Sequence, residues 1–184
     1  MRITISGPPG SGKTTIANSL AREYNLEVIT GGLIFRRYAK SLGISLEELG
    51  KMAEKDPKID MELDRYLLEE MRNKENIIVE SRLAGWLAYK NGIPAFKIFI
   101  TADEETRVQR IIGSMRTREG ESSSDVLKAM RTREKSESER YKKYYGADYN
   151  DLTIYDLIID STDLTTEQVL KVIKDALDIR QKTV

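Results

Sequence analysis

The sequence predicts an open, three-layer α/β sandwich built on five parallel strands. Short β-branched segments alternate with segments of helical period along the chain, and such alternation gives a parallel sheet covered on both faces. Ile77-Ile78-Val79 is continuously apolar, as a strand buried on both faces requires. A glycine-rich loop joins the first strand to the first helix, an order that aims a helix N-terminus at an anion. At 184 residues the chain, 1–184, is expected to form a single domain.

The first strand is Arg2-Ile-Thr-Ile-Ser6, short and alternating. It leads into Gly7-Pro8-Pro9-Gly10-Ser11-Gly12-Lys13-Thr14, which fits the P-loop pattern G-x-x-x-x-G-K-[ST]. In that pattern backbone N–H groups wrap the phosphates, the lysine reaches the β- and γ-phosphates, and the hydroxyl ligates Mg²⁺. These eight residues and Thr15 are the candidate nucleotide-binding set, with Thr14 a metal ligand. From Thr14 to Tyr24 the spacing of Ile16, Leu20 and Ala21 predicts a helix. The fold expected is therefore the three-layer P-loop NTPase fold.

Glu27 to Thr30 reads as the second strand, and Gly31-Gly32 opens a helical run through Tyr38. Paired glycines let a backbone approach a ligand closely. Arg36 and Arg37 stand one turn into that helix, either at its mouth facing a ligand or solvated on an exposed face. Ser45 and Glu48 form a capping box, and Asp56-Pro57 starts a further helix running to about Arg72, with Ile59, Leu63, Leu67 and Met71 expected to be buried. Helices alone fill residues 32 to 72, more than a crossover between parallel strands needs. Residues 32–75 are accordingly expected to be a small, movable substrate-binding subdomain.

Asn76 to Glu80 is the third strand. Its end, Glu80-Ser81-Arg82, puts a carboxylate and an arginine where open α/β sheets bind ligands; exposed loop charges are the alternative. Phe96 to Ile100 is the fourth strand, and Thr101-Ala-Asp-Glu104 reads as a capping box opening a helix with Val108, Ile111 and Ile112 inward. The polar, Gly/Ser-rich stretch 113–124 then predicts a mobile lid, with Arg110, Arg116 and Arg118 offering guanidinium groups, or else a solvated loop. Asp125 to Tyr145 is one long helix stopped at Gly146. Arg133, Glu137 and Arg140 share a face of it, as an intrahelical ion-pair ladder or a ligand-facing row, and spacing does not separate these. Tyr155 to Asp160 holds the fifth strand, and Thr165 with Gln168 caps a last helix that turns Val169, Val172, Ile173 and Leu177 inward.

Composition narrows the chemistry. The 30 basic and 30 acidic residues cancel, so no global field recruits nucleic acid or an anionic membrane, and a small anionic ligand is expected instead. No cysteine and no histidine occurs, which excludes disulfides, Cys/His zinc sites, thiol nucleophiles and histidine acid–base catalysis. No apolar run approaches the ~20 residues that span a bilayer, and no signal-peptide pattern precedes the first strand. A cytoplasmic protein without membrane, nucleic-acid or obligatory protein partners is the expectation.

The loop implies a bound nucleoside triphosphate. A guanine-reading Asn-Lys-x-Asp is missing, since Asn73-Lys-Glu-Asn76 ends wrongly and precedes a strand. Phosphorylation of a neutral alcohol needs a carboxylate base, whereas a phosphate acceptor is already ionised and needs cations instead. Arginines at 36, 82, 110, 116, 118 and 133 match that need.

Gly7 to Thr14, Thr30-Gly-Gly-Leu-Ile-Phe-Arg36, Glu80-Ser-Arg82-Leu-Ala-Gly-Trp86 and the trio Arg133, Glu137, Arg140 together resemble the nucleoside monophosphate kinases, most closely the archaeal type of cytidylate kinase. The likeness extends to the strand Ile154 to Asp160 and to Ser161-Thr-Asp-Leu164. It implies transfer of the γ-phosphoryl of MgATP to CMP or dCMP. It further implies that Lys13 binds the β- and γ-phosphates, that Thr14 and Glu80 serve Mg²⁺, and that Arg36, Arg82 and Arg133 hold the acceptor phosphate. Glu137 and Arg140 would lie near the cytidine, and Arg110 and Arg116 would be lid arginines. Two positions depart from the family pattern: Leu33 stands where an acidic residue is frequent, and Ser81 replaces a glycine. Both bear on base specificity more than on reaction type. AMP phosphorylation is the alternative within the enzyme class, and a P-loop ATPase assembly factor the alternative outside it.

Overall fold

A computed structural model describes residues 1–114 and 122–183. Its sheet comprises β1 (Arg2–Ser6), β2 (Glu27–Thr30), β3 (Ile77–Glu80), β4 (Phe96–Thr101) and β5 (Leu157–Asp160), all parallel, in the order β2-β3-β1-β4-β5. Register aligns Ile5 of β1 with Glu80 on one side and Ile98 on the other, and Thr30 of β2 with Glu80. The carboxyl ends of β1, β2 and β3 thus meet at one edge, the position where such sheets bind ligands.

Alternation along each strand feeds two cores. Ile3, Ile5, Ile78, Ile98 and Ile100 face α1 (Lys13–Tyr24) and α8 (Thr166–Thr183), packing on Ile16, Leu20, Val169, Ile173 and Leu177. Ile77 and Val79 face the other layer, formed by α4 (Lys58–Asn73), α5 (Ala84–Lys90) and the end of α7 (Ser123–Tyr145). Each fully buried Ile or Leu contributes about 1.5–3 kcal/mol. Between β2 and β3 lie α2 (Gly31–Ser41), α3 (Leu46–Lys55) and α4, joined by a small cluster of Phe35, Ala39 and Leu49. The remaining helix, α6 (Glu104–Gly113), packs Val108 on Val126 and Met130 of α7. Among the described residues no helix is long and apolar enough to cross a membrane.

Helix ends mostly follow the local signals. Ser45 and Glu48 bond reciprocally at 3.1 and 2.7 Å, Thr165 and Gln168 do the same, and α7 stops at Gly146. Several details differ from the sequence expectation. Thr101 is used by β4, so the N-cap of α6 is Asp103, whose Oδ1 accepts from Thr106 N at 2.7 Å. The long helix starts earlier than Asp125, because Ser122 and Asp125 form a capping box of their own. Helix α5 was not anticipated: it is seven residues long, and its Leu-Ala-Gly-Trp entry shows no clear period. Val172 is 41% exposed, not inward. On α4 the buried line is Asp60, Asp64, Leu67, Met71, with Ile59 and Leu63 only half-buried. The lid expected at 113–124 falls largely on residues 115–121, outside the described residues, as do Arg116 and Arg118.

Candidate active site

The loop after β1 is shaped by close backbone approach. Gly7 has φ +143, and a Cβ there would stand 1.9 Å from the Ile100 carbonyl oxygen, so only glycine fits. Within the loop, Lys13 Nζ donates to Pro8 O at 2.6 Å. Burial, with Arg82 and Arg133 nearby, outweighs Glu80 and Glu137 and lowers its ammonium from 10.5 to about 7. Thr14, in the first turn of α1, donates its hydroxyl to Glu80 Oε2 at 3.1 Å across to the end of β3.

A cavity of about 900 Å³ opens over this loop. Pro9, Gly10, Ser11, Gly12, Lys13, Thr14 and Thr15 line it, and so do Arg36, Glu80, Arg82, Arg110 and Arg133. Five arginine and lysine side chains from five different segments thereby converge on one space, an environment suited to a polyanion. Of the paired glycines Gly32 lines the cavity, whereas a Cβ at Gly31 would meet that of Ser81 at 2.9 Å. Gly31 therefore answers to contact with the β3–α5 loop.

Behind the loop is a chain of charges, buried at Glu137 and about a third exposed at Arg133. Arg82 Nη1 donates to Gly7 O at 2.9 Å and its Nε to Glu137 Oε2 at 2.6 Å. Arg133 Nε donates to the other Glu137 oxygen at 2.7 Å. Burial alone would raise Glu137, but the two guanidinium groups prevail and hold it at about 2. Arg133 thus pairs within α7, as a ladder would, and also lines the cavity. Glu137 itself lines a second cavity of about 500 Å³ on the other side, shared with Pro8, Arg82 and Arg107. Arg110 donates to the hydroxyl and carbonyl of Ser161 at 2.9 and 2.7 Å. Arg140 lines neither cavity; it is held by Asp60 on α4 at 2.7 Å.

Sequence reasoning missed Asp60, Asp64 and Arg107. The aspartates stand at spacings of four, three and four with Leu67 and Met71, which is the signal that would have put them on the buried face. Arg107 donates to Pro9 O at 3.4 Å and to Glu134 of α7, bracing the loop from α6. No group of three or more potential metal ligands occurs among the described residues. Thr14 and Glu80 are the pair that could face Mg²⁺, an ion that keeps several waters and takes other ligands from substrate phosphates.

Over residues 2–163 the chain matches the cytidylate kinase-like family. It is 46% identical over 178 residues to a Methanosarcina mazei protein named cytidylate kinase, covering 97% of each chain. To the protein of the same name from Methanocaldococcus jannaschii it is 43% identical over 183 residues, covering 99% of this chain and 100% of that one. Among solved structures, shikimate kinase from Bacteroides thetaiotaomicron aligns with a TM-score of 0.67 at 16% identity, over 97% and 98% of the two chains. An uncharacterized protein from Eubacterium ventriosum gives 0.68 at 20% identity, over 97% and 98%. At those identities the structural likeness is one of fold.

Proposed function

We infer, from the premise that this chain belongs to the cytidylate kinase-like family, that it is a nucleoside monophosphate kinase transferring the γ-phosphoryl group of ATP to CMP, with CDP and ADP as products. dCMP is proposed as a second acceptor. The observation that carries the reading is the convergence of Arg36, Arg82, Arg110 and Arg133 with Lys13 on the cavity over the loop. Two polyanions must be brought together there against their repulsion, and positioned cations supply that.

In this reading the loop residues from Gly7 to Thr15 cradle the triphosphate, and Lys13 leaves Pro8 O to reach its outer phosphates. Arg36, Arg82 and Arg133 take the acceptor phosphate, with Glu137 holding the last two in place. Arg110 exchanges Ser161 for the triphosphate, helped by Arg116 from the lid at 113–124, and residues 32–75 close over the acceptor. Thr14 and Glu80 would hold Mg²⁺, which when bound neutralises charge on the transferred group. The acceptor phosphate arrives ionised, so no side chain is needed to remove a proton from it.

An ADP-release assay with ATP and Mg²⁺ against CMP, dCMP, UMP, AMP, GMP and dTMP tests the reading. CMP, followed by dCMP, is expected to give the highest kcat/KM. If AMP wins, the base specificity is wrong; turnover indifferent to every monophosphate would replace the kinase by an ATPase.

A further inference from the structure

We propose that Asp60 is a positioning residue for the acceptor side of the site: by holding Arg140 it fixes α7 against α3 and α4, and so sets where Arg133 and Glu137 stand. This rests on the acceptor reading given above.

Asp60 and Arg140 are each only 4% exposed. Arg140 Nε donates to Asp60 Oδ2 at 2.7 Å and its Nη2 to Oδ1 at 3.4 Å, the fork geometry that fixes orientation. The remaining contacts form a row. Arg140 Nη1 donates to Ser136 Oγ, and Ser136 Oγ donates to Glu54 Oε1 at the end of α3, both at 2.6 Å. One turn on, the Tyr144 hydroxyl lies 2.8 Å from the carbonyl oxygens of Ala53 and Glu54. Positions 136, 140 and 144 are thus one stripe of α7, turned to the helical segment. Positions 133 and 137 are a second stripe, tied through Arg82 to the loop carbonyl of Gly7.

One helix bears both stripes, so the helical segment and the phosphate loop are registered through it. A buried ion pair is seldom more stabilising than well-packed apolar residues. What the pair adds here is direction, because two nitrogens of one guanidinium meet the two oxygens of one carboxylate. Arg140 lines neither cavity and has its guanidinium committed on both edges, so its effect on the acceptor passes through α7.

The test is a double-mutant cycle of Asp60→Asn, Arg140→Met and the two combined, read by acceptor KM, ATP KM and kcat. Each single variant is expected to raise the acceptor KM at least about tenfold while leaving the ATP KM within about twofold, and the double variant to be no worse than either. Asp60→Glu is expected to recover part of the loss. Multiplying effects in the double variant would overturn the proposal and make Arg140 a direct contact, and an unchanged acceptor KM in Asp60→Asn would overturn it outright. Should Asp60→Asn not fold, Asp60→Leu with Arg140→Met removes both charges, and a wild-type acceptor KM in that protein would be equally fatal. Hydrogen exchange of α3 in ligand-free protein needs no activity: faster exchange in the variants is expected, and unchanged exchange defeats the strut even if no monophosphate is a substrate.

Discussion

Glu137→Gln removes the one carboxylate on which Arg82 and Arg133 both close, at 2.6 and 2.7 Å. Glu137 is 7% exposed and its carboxyl is held at about 2 rather than 4.5. A depression of that size corresponds to about 3 kcal/mol of stability, on the order of 1.4 kcal/mol for each unit. The sign follows from the direction. The unfolded chain takes its proton first as pH falls, so the contribution is complete above pH 4.5 and is lost on the way down to about 2. The amide also leaves Arg82, whose side chain is largely buried, without its counter-charge, and breaking a buried pair costs about 3–5 kcal/mol, while Arg133 is about a third exposed and adds less. At pH 7 the variant should therefore unfold roughly 10 °C lower than the parent. Urea unfolding followed by circular dichroism at pH 7, 5 and 3 measures this, and the two proteins should draw together in stability as pH approaches 3. Parallel pH dependence, or a difference below about 1 kcal/mol at pH 7, would mean that Glu137 is not the shared anchor.

Other expectations follow from the same charges. Burial lowers the Lys13 ammonium to about 7, so binding a triphosphate at pH 8 should restore its charge and take up a proton. Calorimetry in buffers of different ionisation enthalpy reads this directly, and no uptake would show the ammonium charged beforehand. Arg133→Met should raise the acceptor KM about tenfold and leave the ATP KM unchanged, the loss of one charge-assisted bond; equal effects on both substrates would remove it from the acceptor side. Asp64 is pushed up to about 7, chiefly by burial and also by Asp60, against Arg140 and Tyr145. The unfolded chain therefore ionises it first, and the parent should lose up to about 4 kcal/mol between pH 4 and 7. Thermal melts of Asp64→Asn at pH 4.5 and 8 should show the variant gaining on the parent at the higher pH, and a difference independent of pH would refute the assignment.

What could be read from the chain is what depends on neighbours in sequence. Three reciprocal caps, at Ser45, Ser122 and Thr165, involve residues three apart, and the strands announce themselves as short segments of four to six residues rich in β-branched side chains. Ser45 and Thr165 each open a segment of clear helical period, whereas Ser122 lies in a Gly/Ser-dense stretch whose composition argues for a loop. The phosphate loop was legible for the same reason, its chemistry being contained in eight consecutive residues. Asp60 was not legible, because its partner Arg140 lies 80 positions on, and a charged residue next to Ile59 is assigned to solvent until that partner is seen. The four-residue spacing from Ile59 holds at Leu67 and Met71, but in the first half of α4 the buried positions are Asp60 and Asp64, one residue and about 100° around the helix from Ile59 and Leu63.

That phase error bears on how the site works. Had α4 turned Ile59 and Leu63 fully inward, it would have met α7 through apolar contacts, which tolerate sliding and rotation because they carry little direction. Burying Asp60 instead gives one preferred approach of α4 to α7, fixed by two bonds to a single guanidinium. The same helix α7 offers Glu137 to Arg82, whose other end is set by the carbonyl of Gly7. Each joint is an ion pair shielded from water, so both hold their geometry against salt far better than exposed pairs do. A kinase whose two substrates are both polyanions gains from this arrangement, since the ions they bring with them would otherwise screen the joints that position its arginines.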